Sequence, residues 1–501
     1  MATDDDIEDE RVAADAAPAP AIGETAGVAW PLLLRDRITR RAHGSARFRW
    51  WVLCTVLVGL FSVNVTFTVF AVALPRIARE FDTSVNAMIW VITGPLLGFG
   101  VFAPVLGKMG DVYGHRRLYL AGVCGSFVTT LLSALAWDPG SLIAFRTLGA
   151  VIGAASGSAS MALIFNQFDR DDRVKAMGWW SLVGAGGPVV GVAIGGPLIE
   201  AVGWRWIFVG QLPVQLAALA LAAAVLKEAD RRHRHRLDWR GALILGIGVT
   251  SLLLALNRGP EWGWTSPPVL AALAFAPALL AAFVAVERRA PEPLLPLAVL
   301  RHRNFALPIG AALFANFAYM GGFILAPLLL HGVYGYGESK IGVFVIARPL
   351  TFSLAAPVAG YLAVRVGERT SALAGTLAVV VSMLAFAAVE PGTTPVVALG
   401  ALALSGLGLG CALPSISSSV ANAVDEAHLG IASAAQQLLT QVGVVSGIQV
   451  LSTVQEEAES FRAAYLAGAA VAALGVVCAA FVRNRARPAS SVPASVAPAT
   501  S

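Results

Sequence analysis

Long apolar runs alternate with short polar segments along the chain from residue 51 to residue 482. We count fourteen runs, each near the length of about 20 residues that a helix needs to cross a bilayer. Inside hydrocarbon every backbone polar group must be hydrogen-bonded within the protein, so each run predicts an α-helix. The pattern therefore predicts an all-α integral membrane protein with 14 transmembrane helices.

The composition agrees with a membrane protein and argues against an enzyme. Hydrophobic residues make up 57% of the chain and charged residues 13%, whereas soluble domains have about 25% charged residues. The four cysteines lie inside apolar runs, which favours small core side chains over a disulfide framework or a metal site. The sequence has no His/Cys metal cluster, no paired carboxylates and no phosphate-binding glycine loop with lysine. We therefore expect no catalytic residues, no bound metal and no cofactor.

Basic residues indicate the orientation of the chain and its division into segments. Most of the 36 lysines and arginines fall in the terminal segments and in loops on one side, so the positive-inside rule places both termini in the cytoplasm. The basic run at 227–236 is interpreted as such a loop and not as a nucleic-acid site. The predicted organisation is a disordered cytoplasmic tail (1–46), a six-helix half (47–226), a linker with two extra transmembrane helices (227–303), a second six-helix half (304–482) and a disordered cytoplasmic tail (483–501).

A short motif occurs twice and supports two related halves. A glycine, a second glycine seven residues on and an arginine two further recur between the second and third runs and between the tenth and eleventh. They are Gly107, Gly114 and Arg116 in the first copy, and Gly360, Gly367 and Arg369 in the second. Internal repeats of this kind build transporters whose halves rock around a central site.

The first copy of the motif also carries charges that predict a conformational latch. Asp111 precedes the turn at Gly114, and two arginines follow it. Near helix ends such charges can pair with each other and with helix dipoles across the interface between the halves. The alternative is an ordinary basic loop that only sets the topology. The second copy has Val364 in place of the acid, so we expect an asymmetric latch. The predicted latch residues are Gly107, Asp111, Gly114, Arg116 and Arg117.

The fifth run, from 174 to 198, is rich in glycine. Gly187, Gly191 and Gly195 are four residues apart, so all three share one face, where a neighbouring helix can approach closely. Pro188 lies in the middle of the run. Because membrane helices tolerate proline, the run predicts a bendable and closely packed spanning helix.

Polar side chains inside the apolar runs are the candidates for a pathway through the protein. Three pairs are four residues apart and share a helix face: Asn64 with Thr68, Gln211 with Gln215, and Gln437 with Gln441. Asn316 and Tyr319 in the ninth run are further candidates. Hydrogen bonds between helices are the alternative interpretation for each of them.

Two arginines, Arg146 and Arg348, lie well inside apolar runs, and no aspartate or glutamate does. An unpaired charge there costs about 2.5–3.5 kcal/mol by insertion scales, so each arginine is expected to face protein or water and to have a partner. Three interpretations of Arg348 stay open. It bonds helix carbonyls or an acid at a helix end, it binds an anionic group of a substrate, or it is a coupling element whose environment responds to protons elsewhere.

The chain resembles the major facilitator superfamily over essentially all of residues 50 to 480, and several segments carry the resemblance. GKMGDVYGHRR at 107–117 resembles its signature loop, and the glycine-rich fifth run resembles its antiporter motif. GWRWIFVGQLP at 203–213 resembles the start of helix six in the fourteen-span drug:proton antiporter family. The resemblance implies a monomeric secondary transporter that exports drugs or other amphipathic small molecules across the plasma membrane by alternating access, driven by protons. It also implies a role in proton transfer for Arg146, whose context RTLG resembles the helix-four motif.

Departures from the family pattern bear on proton coupling. The first helix has Thr66 and Ala71 where the family has Asp and Asn, and the antiporter motif has Val192 where a glycine would stand. The resemblance therefore supports the fold and transport, but not direct proton coupling through the first helix. The alternatives within transport are a lipid or lipid-precursor transporter and a transporter of an anionic substrate without direct carboxylate-based coupling. A different class is a receptor or scaffold in the membrane that does not transport.

Overall fold

The structure is a computed structural model that describes residues 48–83, 88, 90–170, 172–226, 239–289, 302–425 and 428–482. The predicted tails at 1–46 and 483–501 lie outside the described residues, as does the basic run at 227–236. The described ranges are helical, with short turns between the helices and no strand.

Fourteen helices of 20 to 33 residues follow one another in the described ranges. They are α1 (Phe48–Glu80), α2 (Trp90–Tyr113), α3 (His115–Ala134), α4 (Pro139–Gln167), α5 (Arg173–Val202), α6 (Arg205–Val225), α7 (Trp239–Trp262), α8 (Pro267–Glu287), α9 (Arg303–Tyr334), α10 (Glu338–Val366), α11 (Glu368–Ala387), α12 (Pro395–Asn422), α13 (Leu429–Ala458) and α14 (Phe461–Phe481). Ten are long and apolar enough to cross a membrane, or eleven if the two parts of the bent α2 form one span. The all-α membrane fold is thus confirmed, whereas the number of 14 spans stays a prediction.

The turns between helices use residues suited to that conformation. Gly114 between α2 and α3 and Gly367 between α10 and α11 have φ angles of 102° and 92°, which L side chains rarely adopt. Both are the second glycine of the repeated motif, so the two copies make the same turn. The turn before α4 ends in Asp138, whose carboxylate accepts a hydrogen bond from the Ser141 backbone N–H at 2.8 Å.

Glycines let pairs of helices approach to backbone distance, as the sequence pattern indicates for membrane helices. In α13, Gly443 and Gly447 lie against the backbone of α9 at Leu313 and Phe317, so closely that a Cβ on either glycine would overlap it. A buried aromatic pair, Phe386 and Tyr465, stacks at 4.8 Å between ring centroids and joins α11 to α14.

Many of the closely packed helix pairs follow the chain, whereas α5 packs on α10 and α12, and α13 also packs on α2. In the first part α4 packs on α2 and α3, and α6 packs on α3; in the last part α12 packs on α10 and α11, and α9 packs on α13 and α14. The helices of the predicted linker, α7 and α8, pack on each other, and α7 also contacts α2 and α13. Leu245, Val249 and Leu253 of α7 share an apolar cluster with Leu438 and Val445 of α13. The division into two six-helix halves stays a prediction.

A polar cluster joins the end of α1 to the start of α6. The Glu80 carboxylate accepts a hydrogen bond from Trp204 Nε1 at 2.7 Å and pairs with Arg205. Arg205 also donates from Nη2 to the Ala136 carbonyl oxygen at 3.1 Å. Burial raises the pKa of Glu80, but the hydrogen bonds and positive charge around it outweigh burial and hold the pKa below its usual value.

Candidate functional site

A cavity of about 350 Å³ lies among α1 to α6 and reaches α12 and α13. Six of the residues singled out from the sequence line it: Asn64, Arg146, Gln211, Gln215, Gln437 and Gln441. The side chain of Thr68 lies outside the described residues. Asn316, Tyr319 and Arg348 are not among the lining residues. The structure therefore brings together two complete pairs of polar residues from the sequence, and one member of the third.

The cavity wall combines aromatic surface with uncharged polar groups. Phe99, Phe145, Trp180 and Phe208 contribute rings, and no aspartate or glutamate is among the lining residues that the structure describes. The sequence analysis missed a stripe of hydroxyl groups on α3, formed by Ser126, Thr129, Thr130 and Ser133. Their spacing of three to four residues, which puts them on one helix face, is the signal that could have identified them. Such a wall suits an amphipathic molecule.

Three glutamines at or near the cavity wall have hydrogen-bond acceptors without a partner among the described residues. Gln215 donates from Nε2 to Thr130 Oγ1 at 3.1 Å, and Gln436 donates from Nε2 to Ser417 Oγ at 2.6 Å. The Oε1 atoms of Gln215, Gln436 and Gln441 are buried and have no hydrogen-bond partner in the part of the chain that the structure describes. A buried acceptor without a donor is unfavourable, so these three oxygens can receive N–H or O–H groups of a bound molecule.

Arg146 brings positive charge to the cavity wall. Its Nε donates to the Val91 carbonyl oxygen at 2.8 Å, which ties α4 to α2. Its guanidinium lies 5.9 Å from the centroid of the Phe208 ring, within the range of a cation–π interaction. The arginine thus has protein partners, as expected for a charge inside an apolar helix.

Asp111 joins α2 to the first turn of α13. Its carboxylate accepts hydrogen bonds from the backbone N–H groups of Gly430 at 3.0 Å and Ile431 at 3.1 Å. These are unpaired donors at the positive end of a helix dipole, where a carboxylate binds favourably. His115 Nε2 lies 3.2 Å from the same carboxylate, and the Asp111 side chain is only 2% exposed. A Cβ on Gly107 would lie 2.8 Å from the Gly430 carbonyl oxygen, so only glycine allows this approach.

Arg116 of the motif makes a contact of its own, between α3 and α6. Arg116 donates from Nη2 to the Ala223 carbonyl oxygen at the end of α6, at 3.1 Å, and Arg117 is exposed. His115 lies within the motif but was not among the residues predicted from it. The acid at 111 therefore pairs with a helix end and a histidine, and Arg116 holds α3 to α6.

A second contact joins α5 to α10 and α12 near the other copy of the motif. A Cβ on Gly360 would lie 2.7 Å from the Val174 carbonyl oxygen, and Ser353 Oγ donates to the Leu182 carbonyl oxygen at 2.9 Å. Val364 supplies no carboxylate to this contact. Here close packing joins α5 to α10, in place of the carboxylate that joins α2 to α13.

A polar network extends this second contact to the end of α12. Arg173 donates from Nη1 to Asn422 Oδ1 at 3.0 Å, and Asn422 Nδ2 donates to Glu368 Oε1 at 3.2 Å. Ser419 Oγ donates to Glu368 Oε2 at 2.6 Å. The sequence analysis missed this network, because its members lie in three separate helices.

The predicted glycine face of α5 is only partly described. Gly187 and Gly191 are buried in α5, while the side-chain surroundings of Pro188 and Gly195 lie outside the described residues. The close approaches to α10 that the structure describes occur at other glycines. A Cβ on Gly178 would lie 2.7 Å from the Ala356 carbonyl oxygen.

The remaining candidates lie among α9, α10 and α14, away from the cavity. Asn316 Nδ2 donates to the Ala312 carbonyl oxygen one turn earlier in α9, at 2.8 Å, which is a bond within one helix and not a bond between helices. Arg348 is 0% exposed, and its guanidinium carbon lies 4.0 Å from the centroid of the Tyr319 ring. No guanidinium nitrogen meets normal hydrogen-bond geometry with a described residue, and the Tyr319 side chain supplies its polar interaction. Among the described residues, neither a helix carbonyl nor an acid at a helix end accepts a hydrogen bond from Arg348.

Comparison with known proteins gives consistent results. A family model described as Major Facilitator Superfamily matches residues 56–448, and again residues 341–500. The chain is 33% identical over 426 residues to the puromycin resistance protein pur8 of Streptomyces alboniger, covering 84% of each chain. It is 30% identical to the multidrug resistance protein Stp of Mycobacterium tuberculosis, over 79% of this chain and 74% of that protein.

A solved structure shows a similar fold at low sequence identity. The human organic anion transporter MFSD10 superimposes with a TM-score of 0.64 over 86% of this chain and 99% of that chain, at 17% identity. At this identity the likeness concerns the fold alone.

Proposed function

The chain belongs to the major facilitator superfamily, and on that premise we propose that it exports drugs or other amphipathic small molecules across the plasma membrane by alternating access, driven by the proton gradient. It is a multi-pass membrane transporter and not an enzyme. The export proposal is supported by its relatives, whose names include puromycin resistance and multidrug resistance proteins.

The observation that carries the proposal is the cavity itself. Its wall pairs aromatic rings with amide oxygens that lack donors and with the cation of Arg146. An amphipathic molecule would place its apolar body on the rings and its N–H or O–H groups on the glutamines. We propose that the cavity binds one small molecule at a time and that the protein works as a monomer.

Alternating access is supported by the two contacts at the helix ends. Asp111 joins α2 to α13, and Arg173 joins α5 to α12, on the side of the protein that carries the repeated motif. The positive-inside rule makes this the cytoplasmic side, with both termini in the cytoplasm. We propose that the contacts hold the cytoplasmic end of the pathway shut and part when it opens.

Transport by the purified full-length protein in liposomes under an imposed pH gradient tests the proposal. We expect movement of an amphipathic dye that stops when a protonophore collapses the gradient. Equal movement in protein-free liposomes, or movement unaffected by the protonophore, would contradict proton-driven export.

A matched pair of variants tests the cavity. Gln441→Leu removes an acceptor from the cavity wall, whereas Gln455→Leu makes the same change on the same helix, at a residue outside the lining. A net hydrogen bond contributes about 0.5–1.5 kcal/mol, so we expect Gln441→Leu to weaken binding of a donor-bearing dye by about two- to tenfold. Gln455→Leu should leave binding unchanged. Equal binding by both variants would place the substrate elsewhere.

A further inference from the structure

Arg348 is a fully buried charge in the wall between α9 and α10. Its guanidinium carbon lies 4.0 Å from the ring centroid of Tyr319 and 5.8 Å from that of Phe323, both on α9. Tyr465 of α14 lies close enough to interact with it electrostatically. The rings of Tyr319 and Phe323 thus form an aromatic cage around the charge, and Tyr319 and Tyr465 belong to an apolar cluster of the last six helices.

The cage leaves most of the hydrogen-bonding capacity of the arginine unused. A guanidinium is always protonated and carries five N–H donors in a planar fork. None of its three nitrogens meets normal hydrogen-bond geometry with a described residue, and the Tyr319 side chain supplies its side-chain hydrogen-bond contact among them. Ring faces attract the charge but accept none of the five donors in the way an oxygen does. A buried cation whose N–H donors are mostly unused is unfavourable, so an additional group with acceptor oxygens would stabilise it.

The repeat predicts that Arg348 lies on the face of α10 that corresponds to the cavity-lining face of α2. Arg348 lies twelve residues before Gly360, and Pro95 lies twelve residues before Gly107. Pro95 lines the cavity. In a transporter built from two related halves, the face of α2 that lines the pathway has its counterpart on α10.

Local packing keeps this part of α10 close to α12. Thr351 Oγ1, one turn after the arginine, donates to the carbonyl oxygens of Arg348 at 3.0 Å and of Ala403 in α12 at 2.9 Å. A Cβ on Gly406 of α12 would overlap the Arg348 carbonyl. The α10 backbone at Arg348 is therefore fixed against α12. The guanidinium would become accessible if α9 moved away.

We propose that Arg348 is an anion subsite, which binds a carboxylate or a phosphate group of the transported molecule when α9 moves away from α10. The inference rests on the proposed function and narrows its substrate class to amphipathic molecules that carry an anionic or zwitterionic head. Two oxygens of a carboxylate or phosphate can accept two parallel N–H bonds from the fork of the guanidinium. The bound anion would then neutralise the charge of Arg348, which the aromatic rings do not. The aromatic rings would contact the apolar body next to that head.

Calorimetric titration of the purified full-length protein tests the subsite with three probes. All three share a naphthyl ring and a butyl chain, and they end in a carboxylate, a hydroxyl or a trimethylammonium group. We expect the parental protein to bind the carboxylate probe most tightly. Arg348→Met, which keeps an unbranched apolar stem and removes the guanidinium, should weaken that binding about tenfold or more, because charge-assisted bonds are lost. It should change binding of the alcohol less than twofold.

Further variants separate the subsite from a structural role. Arg348→Lys keeps the charge but loses the planar fork, so it should restore carboxylate binding only in part. Lys340→Met is the matched control, since Lys340 is a cation on the same helix over the ring of Tyr336, at 3.6 Å. It should leave binding of all three probes unchanged. Arg348→Met should unfold at the parental temperature or above it, because removal of a buried cation with incomplete hydrogen bonding offsets the loss of its contacts with the rings.

Three results would overturn the inference. They are equal affinity of the parental protein for the carboxylate and the alcohol, equal weakening of all three probes by Arg348→Met, and a lower unfolding temperature of that variant. Transport in liposomes distinguishes this failure from failure of the proposed function. Gradient-driven movement of the alcohol probe without preference for the carboxylate contradicts only the anion subsite, whereas movement of none of the probes contradicts the proposed function as well.

Discussion

Replacement of Asp111 by asparagine tests whether the contact between α2 and α13 holds one conformation closed. The substitution keeps the volume of the side chain and removes its charge. The carboxylate is 2% exposed and accepts two backbone N–H bonds, at 3.0 Å and 3.1 Å, with His115 beside it. The substitution therefore changes the charge of the buried contact between α2 and α13 but hardly its packing.

The size of the effect follows from these bonds. A hydrogen bond to a charged group contributes about 1.5–3 kcal/mol, and a neutral one about 0.5–1.5 kcal/mol. Asparagine has one amide oxygen, so it keeps one neutral bond and loses the attraction of the helix dipole. The closed conformation should lose about 2–3 kcal/mol relative to the open one. This loss corresponds to a shift of about 30- to 150-fold in their ratio.

Labelling of a buried cysteine measures that ratio. Ser417 is 3% exposed and lines the cavity near the end of α12. In a background without the four native cysteines, Ser417→Cys would be labelled by a membrane-impermeant maleimide in inside-out vesicles. We expect Asp111→Asn to raise the labelling rate at least tenfold and to reduce transport. Val364→Asn, at the matching position of the repeat, is the control and should change neither much. Equal labelling rates with Asp111 and with asparagine would refute the latch.

Two further predictions concern other contacts of the described residues. Gly360→Leu should prevent the close packing of α10 on α5, because even a Cβ would lie 2.7 Å from the Val174 carbonyl oxygen, and should reduce transport more than tenfold in liposomes while the protein still inserts; transport at the parental rate would contradict close packing there. Glu80 has a lowered pKa, so its pair with Arg205 stabilises the fold above the ordinary glutamate pKa, and this stability is lost as the pH falls through the lowered value. The pair is partly exposed and contributes less than about 1 kcal/mol; the unfolding temperatures of the parental protein and Glu80→Gln should therefore differ slightly at pH 6 and converge toward pH 3, and a gap that widens on acidification would contradict the pairing.

The fold was predictable because its signal is distributed over the whole chain. Apolar runs of spanning length and glycines at helix turns such as Gly114 and Gly367 depend on local chemistry, which a sequence displays directly. Polar pairs at four-residue spacing identified residues of the cavity wall for the same reason. Gln211 and Gln215 share a face of α6 and both line the cavity.

The partners of these residues were harder to predict, because they come from distant parts of the chain. Asp111 binds backbone N–H groups more than 300 residues away, which no side-chain pattern encodes. The bonds from Arg173 to Asn422 and from Asn422 to Glu368 depend on three helix ends meeting. Arg348 could be recognised as a buried charge from sequence, but the cage around it depends on how α9 packs on α10.

Simultaneous recording of substrate and proton movement in the same proteoliposomes tests proton-driven export most directly. The vesicles contain a pH-sensitive dye, and an amphipathic fluorescent substrate is loaded on the side that faces the Asp111 contact. We predict that the substrate moves against its concentration gradient while protons move in the opposite direction, and that both movements stop together on addition of a protonophore. Substrate movement without a change in internal pH, or only down its own gradient, would contradict proton-driven export.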